Sequence, residues 1–149
     1  MKVQSINPAT EEVNKEFETM TSKEALAACR SARKAFEGWR DVDLDARLAH
    51  VKRQGEVLRE KKGEYARLAT AEMGRLLKDA EVEVGKCADL CDYLVANAPA
   101  WLQDEPVKTE FSKSVITFEP KGVVLIIMPW NYPFSQVARC AISLKPDHM

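Results

Sequence analysis

The feature that most limits the fold of this chain is a continuous apolar run, Val123 to Met128, which leads into the sequence Pro-Trp-Asn-Tyr-Pro at residues 129–133. A strand with apolar residues on both faces is typical of the interior of a parallel sheet, where helices cover each side. The pattern from Phe134 to Leu144 predicts a helix directly after the turn. Because α/β proteins bind ligands where such a strand gives way to a loop and a helix, the turn is a candidate site.

Helical periodicity dominates the part of the chain that precedes this run. Val3 to Ile6 and Val13 to Phe17 predict the two strands of a hairpin. Thr21 lies three residues before Glu24, which predicts a capping box at the start of a helix. Four helices are expected before residue 104, and they begin after Thr21, near Asp43, at Glu64 and near Leu77, the last one ending at Trp101.

Three of these helices carry an apolar stripe that is expected to face the core. The first stripe comprises Leu26, Cys29, Ala32, Phe36 and Trp39. The second comprises Leu44, Leu48, Val51 and Leu58. The stripe of the longest helix comprises Val84, Cys87, Cys91, Leu94, Ala98 and Trp101.

Composition excludes several classes of function. The net charge of -1 gives no electrostatic reason to expect nucleic acid as a partner, and no apolar run is long enough to span a membrane. The start of the chain lacks the apolar segment of a signal peptide, so the cytoplasm is the expected compartment. The 4 cysteines form no CxxC pair, and only 2 histidines accompany them, so no metal site is expected.

Asn131 is the candidate catalytic residue. Its carboxamide is the one amide in the apolar segment 123–134, and prolines on both sides restrict its backbone. An amide held rigidly at the end of a sheet strand is a good hydrogen-bond donor to an oxyanion that develops during a reaction. The same pattern also fits an asparagine that caps the following helix or forms a turn, and composition alone favours this second interpretation.

Several motifs together resemble the NAD(P)-dependent aldehyde dehydrogenases. Three segments carry this resemblance: Gly122 to Phe134, Ile6 to Val13 and Glu72 to Arg75. The succinate-semialdehyde dehydrogenase branch is favoured by three more: Cys87 to Tyr93, Asp104 to Val107 and Ser112 to Ser114. Their order and spacing are consistent from Val3 to about Ile142.

The resemblance implies a chemistry for the turn. In this family a cysteine thiolate attacks the aldehyde, a hydride passes to the nicotinamide, and a glutamate helps water to release the acid. The resemblance implies that Asn131 donates a hydrogen bond to the oxyanion. It also implies that the nicotinamide and ribose of NAD or NADP contact Ile127, Met128, Pro129, Trp130 and Asn131. Core packing is an equally good interpretation of Trp130, and a structural role is favoured for Arg139.

The resemblance also implies an organisation into segments. Residues 1–104 form N-terminal strands and a helical region, and residues 105–121 form an extended segment of the kind that joins subunits in a homo-oligomer. Residues 122–149 supply the first strand and helix of an incomplete dinucleotide-binding domain. The expected fold is thus the N-terminal part of an α/β aldehyde dehydrogenase, mostly helical, with a few strands and one buried strand leading into a helix.

The nucleophilic cysteine, the general-base glutamate and the Gly-rich cofactor loop of this family lie downstream of Asn131 and match no position in this chain. The cysteines Cys29, Cys87, Cys91 and Cys140 are expected to be small core residues instead. The chain alone is therefore expected to oxidise no aldehyde and to require a complementing C-terminal chain. The alternative is a non-catalytic helical scaffold or interaction module derived from the same fold.

Overall fold

The computed structural model describes residues 2–142 and shows a helical body with short strands at its edges. Strands β1 (Lys2–Ile6) and β2 (Val13–Glu18) precede four helices: α1 (Ser22–Trp39), α2 (Leu44–Glu60), α3 (Lys62–Met73) and α4 (Leu77–Trp101). Strands β3 (Glu105–Pro106) and β4 (Val115–Ile116) follow, and the described chain ends in α5 (Pro133–Val137) and a π-helical segment, Ala138–Ile142. None of the described helices has the length and apolar character needed to cross a bilayer.

The predicted hairpin and the predicted helix start are both confirmed. β1 and β2 pair antiparallel, with Lys2 opposite Glu18 and an irregularity in register between Ser5 and Ile6. The capping box of α1 is formed in full. The Glu24 backbone N–H donates to the Thr21 hydroxyl, and the Thr21 backbone N–H donates to the Glu24 carboxylate at 2.7 Å. These contacts lower the pKa of Glu24, the bond from the Thr21 backbone having the largest effect.

The core lies where α2, α3 and α4 pack together and meet the π-helical segment. The predicted stripe of α2 is largely correct, since Leu48, Val51 and Leu58 are buried. The predicted stripe of α4 is also largely correct, with Trp101 as its exposed exception. Close packing of these helices gives the side chains of the last segment, Ala138 and Ile142 among them, a rigid surface to pack on.

The predicted buried stripe of α1 is wrong for this structure. Only Phe36 is buried in α1, whereas Leu26 is 59% exposed and Cys29 is exposed. Among the described residues, no helix packs along this face of α1. An apolar stripe shows which face of a helix favours burial, and burial itself requires a partner element.

The predicted buried strand is also wrong for this structure. Residues 123–128 have no strand partner in the described chain, and Leu125 and Ile127 are 84% and 85% exposed. An interior strand needs a neighbour on each side for its backbone groups, and residues 2–142 supply none. The extended segment expected at residues 105–121 forms strand pairs only between β3 and β4, where Val115 lies opposite Pro106. The helix expected after the turn is confirmed as far as Ile142, and its last expected residues lie outside the described range.

Gly55 allows the close approach of α2 to α4, and we expect Gly55→Ala to destabilise the chain by about 0.5–2 kcal/mol. A Cβ at this position would lie 3.0 Å from Cys91 Cβ, which is fixed to the backbone of α4 and cannot move aside. The overpacking outweighs the gain in helix propensity that alanine normally brings. Urea unfolding of the two chains measures the difference in the free energy of unfolding.

Gly85→Ala is the matched control, because Gly85 also lies inside a helix but has only the flexible Lys62 Nζ near its missing side chain, at 4.0 Å. We expect this control to stabilise the chain by about 0.5–1 kcal/mol. Equal stabilisation by both substitutions would contradict the close packing of α2 against α4.

Candidate active site

Asn131 lies in the turn between Pro129 and α5, on the rim of an open cleft of about 570 Å³. Its side chain is exposed, and within residues 2–142 its carboxamide makes no hydrogen bond. The residue that precedes α5 is Tyr132, and no side chain of the turn caps the helix. The alternative in which Asn131 caps the following helix is therefore not what this structure shows. Its amide N–H groups are available to a group bound in the cleft.

Glu83, from α4, holds the start of α5. This glutamate is only 4% exposed, and its Oε1 accepts hydrogen bonds from the backbone N–H groups of Phe134 at 3.0 Å and Ser135 at 2.8 Å. Its Oε2 accepts from Arg75 Nη1 at 2.6 Å in an ion pair whose side chains are 16% and 2% exposed. Buried carboxylates are stable only when their oxygens are paired in this way.

Aromatic contacts fix the residues that flank Pro133. The guanidinium carbon of Arg75 lies 4.2 Å from the centre of the Tyr132 ring, within the range of a cation–π contact. The ring of Phe134 stacks on Tyr65 of α3, with ring centres 5.2 Å apart. Phe134 thus attaches the segment after Asn131 to α3, and Tyr132 attaches it to Arg75 in the loop between α3 and α4.

The cleft beside Asn131 contains charges of both signs. Arg75 and Glu83 line the cleft and neutralise each other in an ion pair. Asp79 provides a further negative charge to the same lining. Lys86 of α4 and Arg139 of the π-helical segment provide positive charge to the same lining. Arg139, expected from the sequence to have a structural role, is exposed and lies on the same cleft as Asn131.

The other predicted cofactor residues lie elsewhere on the surface. Ile127 and Met128 line an apolar groove of about 460 Å³, where Cys140 Sγ lies 3.9 Å from Met128 Sδ. Trp130 is 77% exposed and lines a groove of about 350 Å³ against β1 and α3. Pro129 is exposed and lines neither of these two grooves. The described residues therefore do not bring the five predicted cofactor residues into one cleft, and their shared role stays a prediction.

The cysteines differ sharply in their surroundings. Cys87 and Cys91 are buried, as expected, whereas Cys29 is exposed, so its prediction as a core residue is wrong. Burial raises the pKa of the Cys87 thiol, and the nearby Glu83 charge adds to this; a hydrogen bond with Ser135 and the Arg139 charge oppose it. A raised pKa disfavours the thiolate, so Cys87 is unsuited to nucleophilic attack.

A thiol-specific alkylating reagent is expected to label Cys29 first and to reach Cys87 and Cys91 only as the chain unfolds. The accessible thiol reacts directly, whereas a buried thiol must wait for an opening of the packed helices. Mass spectrometry of peptides after timed labelling measures the order. Cys29→Ser should remove the fast phase, and fast labelling of Cys87 in the folded chain would contradict the described core.

Glu83 is not among the site residues predicted from the sequence, although its position on the apolar stripe of α4 could have pointed to it. Glu83 lies four residues before Cys87, and Cys91 follows at the same spacing, so the glutamate lies on the buried stripe of α4. A charged residue at a buried position requires a specific partner. That requirement predicts a buried polar contact from the sequence pattern alone. The identity of the partner, the start of α5, depends on the tertiary fold.

Comparison with known proteins gives a consistent result. A sequence model of the Aldehyde dehydrogenase family matches residues 1–143. The chain is 37% identical, over 94% of its length, to "Succinate semialdehyde dehydrogenase [NAD(P)+] Sad" of Escherichia coli K12. It is 36% identical, over 95% of its length, to a probable succinate-semialdehyde dehydrogenase [NADP(+)] of Synechocystis. It spans only 30% and 31% of these two relatives.

Solved structures show the same fold over nearly the whole chain. Succinic semialdehyde dehydrogenase from Streptococcus pyogenes, in complex with NADP+, superposes with a TM-score of 0.92 at 31% identity, covering 97% of this chain and 32% of that one. A betaine aldehyde dehydrogenase from Staphylococcus aureus, in complex with NAD+, superposes with a TM-score of 0.91 at 27% identity, covering 99% of this chain and 30% of that one. The expected α/β fold, of which this chain is a mostly helical part, is confirmed. The chain belongs to the aldehyde dehydrogenase family.

Proposed function

We propose that this chain supplies the oxyanion-binding amide and part of the NAD(P) site of an enzyme that oxidises succinate semialdehyde to the acid. The observation that carries the proposal is the Asn131 carboxamide, which is exposed on a cleft and unpaired within the described residues. The relatives at 36–37% identity are named as succinate-semialdehyde dehydrogenases, which supports the substrate. The chain spans only 30% and 31% of these relatives, and this coverage supports the proposal that other segments complete the site.

Asn131 would act by donating a hydrogen bond from Nδ2 to the aldehyde oxygen. That oxygen gains negative charge when a cysteine thiolate from the complementing part of the enzyme attacks the carbonyl carbon. A donor that is held in place before the attack stabilises this charge without reorganising. Glu83 and Arg75 keep the turn in place through their contacts with Ser135, Phe134 and Tyr132.

The described residues fit part of a dinucleotide. Ile127 and Met128 border an apolar groove, which suits a planar group such as nicotinamide, and the bound cofactor would supply a hydride acceptor. Within residues 2–142, no Gly-rich loop at a helix start offers backbone N–H groups to the phosphates. NAD or NADP is therefore expected to bind to the completed enzyme and to be held weakly by this chain alone.

The charge of the cleft suits a substrate with a second acidic group. Succinate semialdehyde carries a carboxylate in addition to its aldehyde. Arg139 lines the cleft that Asn131 borders, and Lys86 lies on the same lining. An arginine can bind a carboxylate through two parallel hydrogen bonds. We infer that Arg139 interacts with this carboxylate, in place of the structural role expected from the sequence.

The alternative is a non-catalytic interaction module, and the exposed apolar segment favours it. Ile127 and Trp130 present large apolar side chains to solvent, and such surfaces often contact other proteins. An enzyme part that lacks its complement presents the same surface. Assembly into a homo-oligomer through residues 105–121 and a cytoplasmic location are further proposals that either function accommodates.

A chimera separates the two functions. Residues 1–142 would replace the matching segment of the Escherichia coli relative, and absorbance of the reduced cofactor would be followed with NADP+ and succinate semialdehyde. We expect turnover by the chimera and none by the isolated chain. A folded chimera that binds NADP+ without turnover would contradict the enzymatic proposal and favour the interaction module. Turnover by the isolated chain would contradict the need for a complement.

A further inference from the structure

We propose that Glu83 is a positioning residue, whose buried carboxylate fixes the turn that presents Asn131 to the cleft. Glu83 lies on α4, far from Asn131 in the sequence, and has no assigned part in the reaction. The inference rests on the proposed function, because the orientation of Asn131 matters only where an oxyanion forms. Its test, however, needs no turnover.

The first contact of Glu83 is with the backbone that follows the turn. The N–H groups of the first turn of a helix have no acceptor within that helix, and no side chain of the turn caps α5. Oε1 of Glu83 accepts from two of these groups, those of Phe134 and Ser135. Hydrogen bonds to a charged acceptor are about twice as strong as those between neutral groups. The carboxylate therefore fixes where α5 begins.

The second contact reaches the residue next to Asn131. Oε2 of Glu83 orients Arg75 through a hydrogen bond of 2.6 Å. The guanidinium of Arg75 in turn lies over the Tyr132 ring. Both oxygens of one carboxylate thus act on the segment 132–135, immediately after Asn131.

The test uses the full 149-residue chain and nuclear magnetic resonance. In Glu83→Gln the side-chain oxygen still accepts hydrogen bonds, so the chain should fold, but the charge is lost. We expect hydrogen exchange at the Phe134 and Ser135 amides to accelerate about ten-fold relative to Glu81→Gln, the control on the same helix. We also expect the side-chain amide resonances of Asn131 to shift or broaden.

Arg75→Met separates the two contacts. Hydrogen exchange at the Phe134 and Ser135 amides should stay slow, because Glu83 still accepts from both. The Asn131 side-chain resonances should shift, because Tyr132 loses its contact with the Arg75 guanidinium.

Unchanged Asn131 resonances in both variants would overturn the proposal, even with faster exchange, because Glu83 would then only stabilise α5. If Glu83→Gln fails to fold, the Arg75→Met result decides alone. A chimera without turnover would refute the proposed function while these resonance shifts still supported the positioning.

Discussion

Asn131→Ala in the chimera with the Escherichia coli relative is expected to lower kcat by about 100- to 1000-fold, the usual effect of removing one oxyanion donor. The loss arises because the negative charge on the aldehyde oxygen has lost a fixed N–H partner. KM for succinate semialdehyde should change little, since the carbonyl oxygen carries far less charge before attack. Steady-state kinetics with saturating NADP+ measure both constants.

Asn97→Ala is the matched control for this substitution. Asn97 is also an asparagine with a donating amide, but its Nδ2 donates at 2.7 Å to the Tyr93 carbonyl on α4, outside the cleft lining. We expect kcat of this control to stay within about two-fold of the parent, as usual for substitutions away from a site. A kcat for Asn131→Ala close to that of the control would show that the amide faces no oxyanion.

Glu83→Ala in the 149-residue chain is expected to lower the free energy of unfolding by about 3–5 kcal/mol. The substitution leaves Arg75 as a largely buried charge without its partner. It also leaves the N–H groups of Phe134 and Ser135 without their acceptor. Urea unfolding followed by circular dichroism measures the loss.

Glu81→Ala provides the comparison for this loss, since Glu81 lies on the same helix, is more exposed, and forms no ion pair within the described residues. Its effect should stay within about 0.5–1 kcal/mol. Similar losses for both variants would contradict the role of Glu83 as a buried, fully paired carboxylate.

The sequence predicts the elements that depend on local patterns. The capping box at Thr21 and the helices α1 to α4 follow from side-chain chemistry and periodicity within a few turns. The buried faces of α2 and α4 are also predictable, because each helix carries an apolar stripe and the two helices pack on each other. Local rules suffice for these elements because each depends on side chains within a few turns of the same segment.

The errors occur where the partner is absent from the described chain. Leu26 and Cys29 on α1, and Leu125 and Ile127 in the expected strand, have the apolar character of buried residues and are exposed. A hydrophobic pattern records which surfaces favour burial, and it carries no information about whether a covering element is present. Relatives about three times as long share this segment, so such surfaces are expected in one part of a larger fold.

The candidate site is predictable only in part, for a related reason. The Pro-framed turn predicts Asn131 as a site residue, and in the structure Asn131 is one of the residues that line a cleft. The contribution of Lys86 and Arg139 to the same lining depends on the packing of α4 against the π-helical segment. Glu83 could be singled out as a charge on a buried stripe, but its contacts with α5 required the tertiary structure.

The Asn131 amide is proposed to stabilise charge during the chemical step, and a single-turnover experiment isolates that step. Chimera in excess over succinate semialdehyde would be mixed rapidly with NADP+, and the first-order formation of reduced cofactor would be followed. We expect Asn131→Ala to slow this rate by about 100-fold or more relative to Asn97→Ala. Equal single-turnover rates for the two variants would contradict the proposed role of the amide.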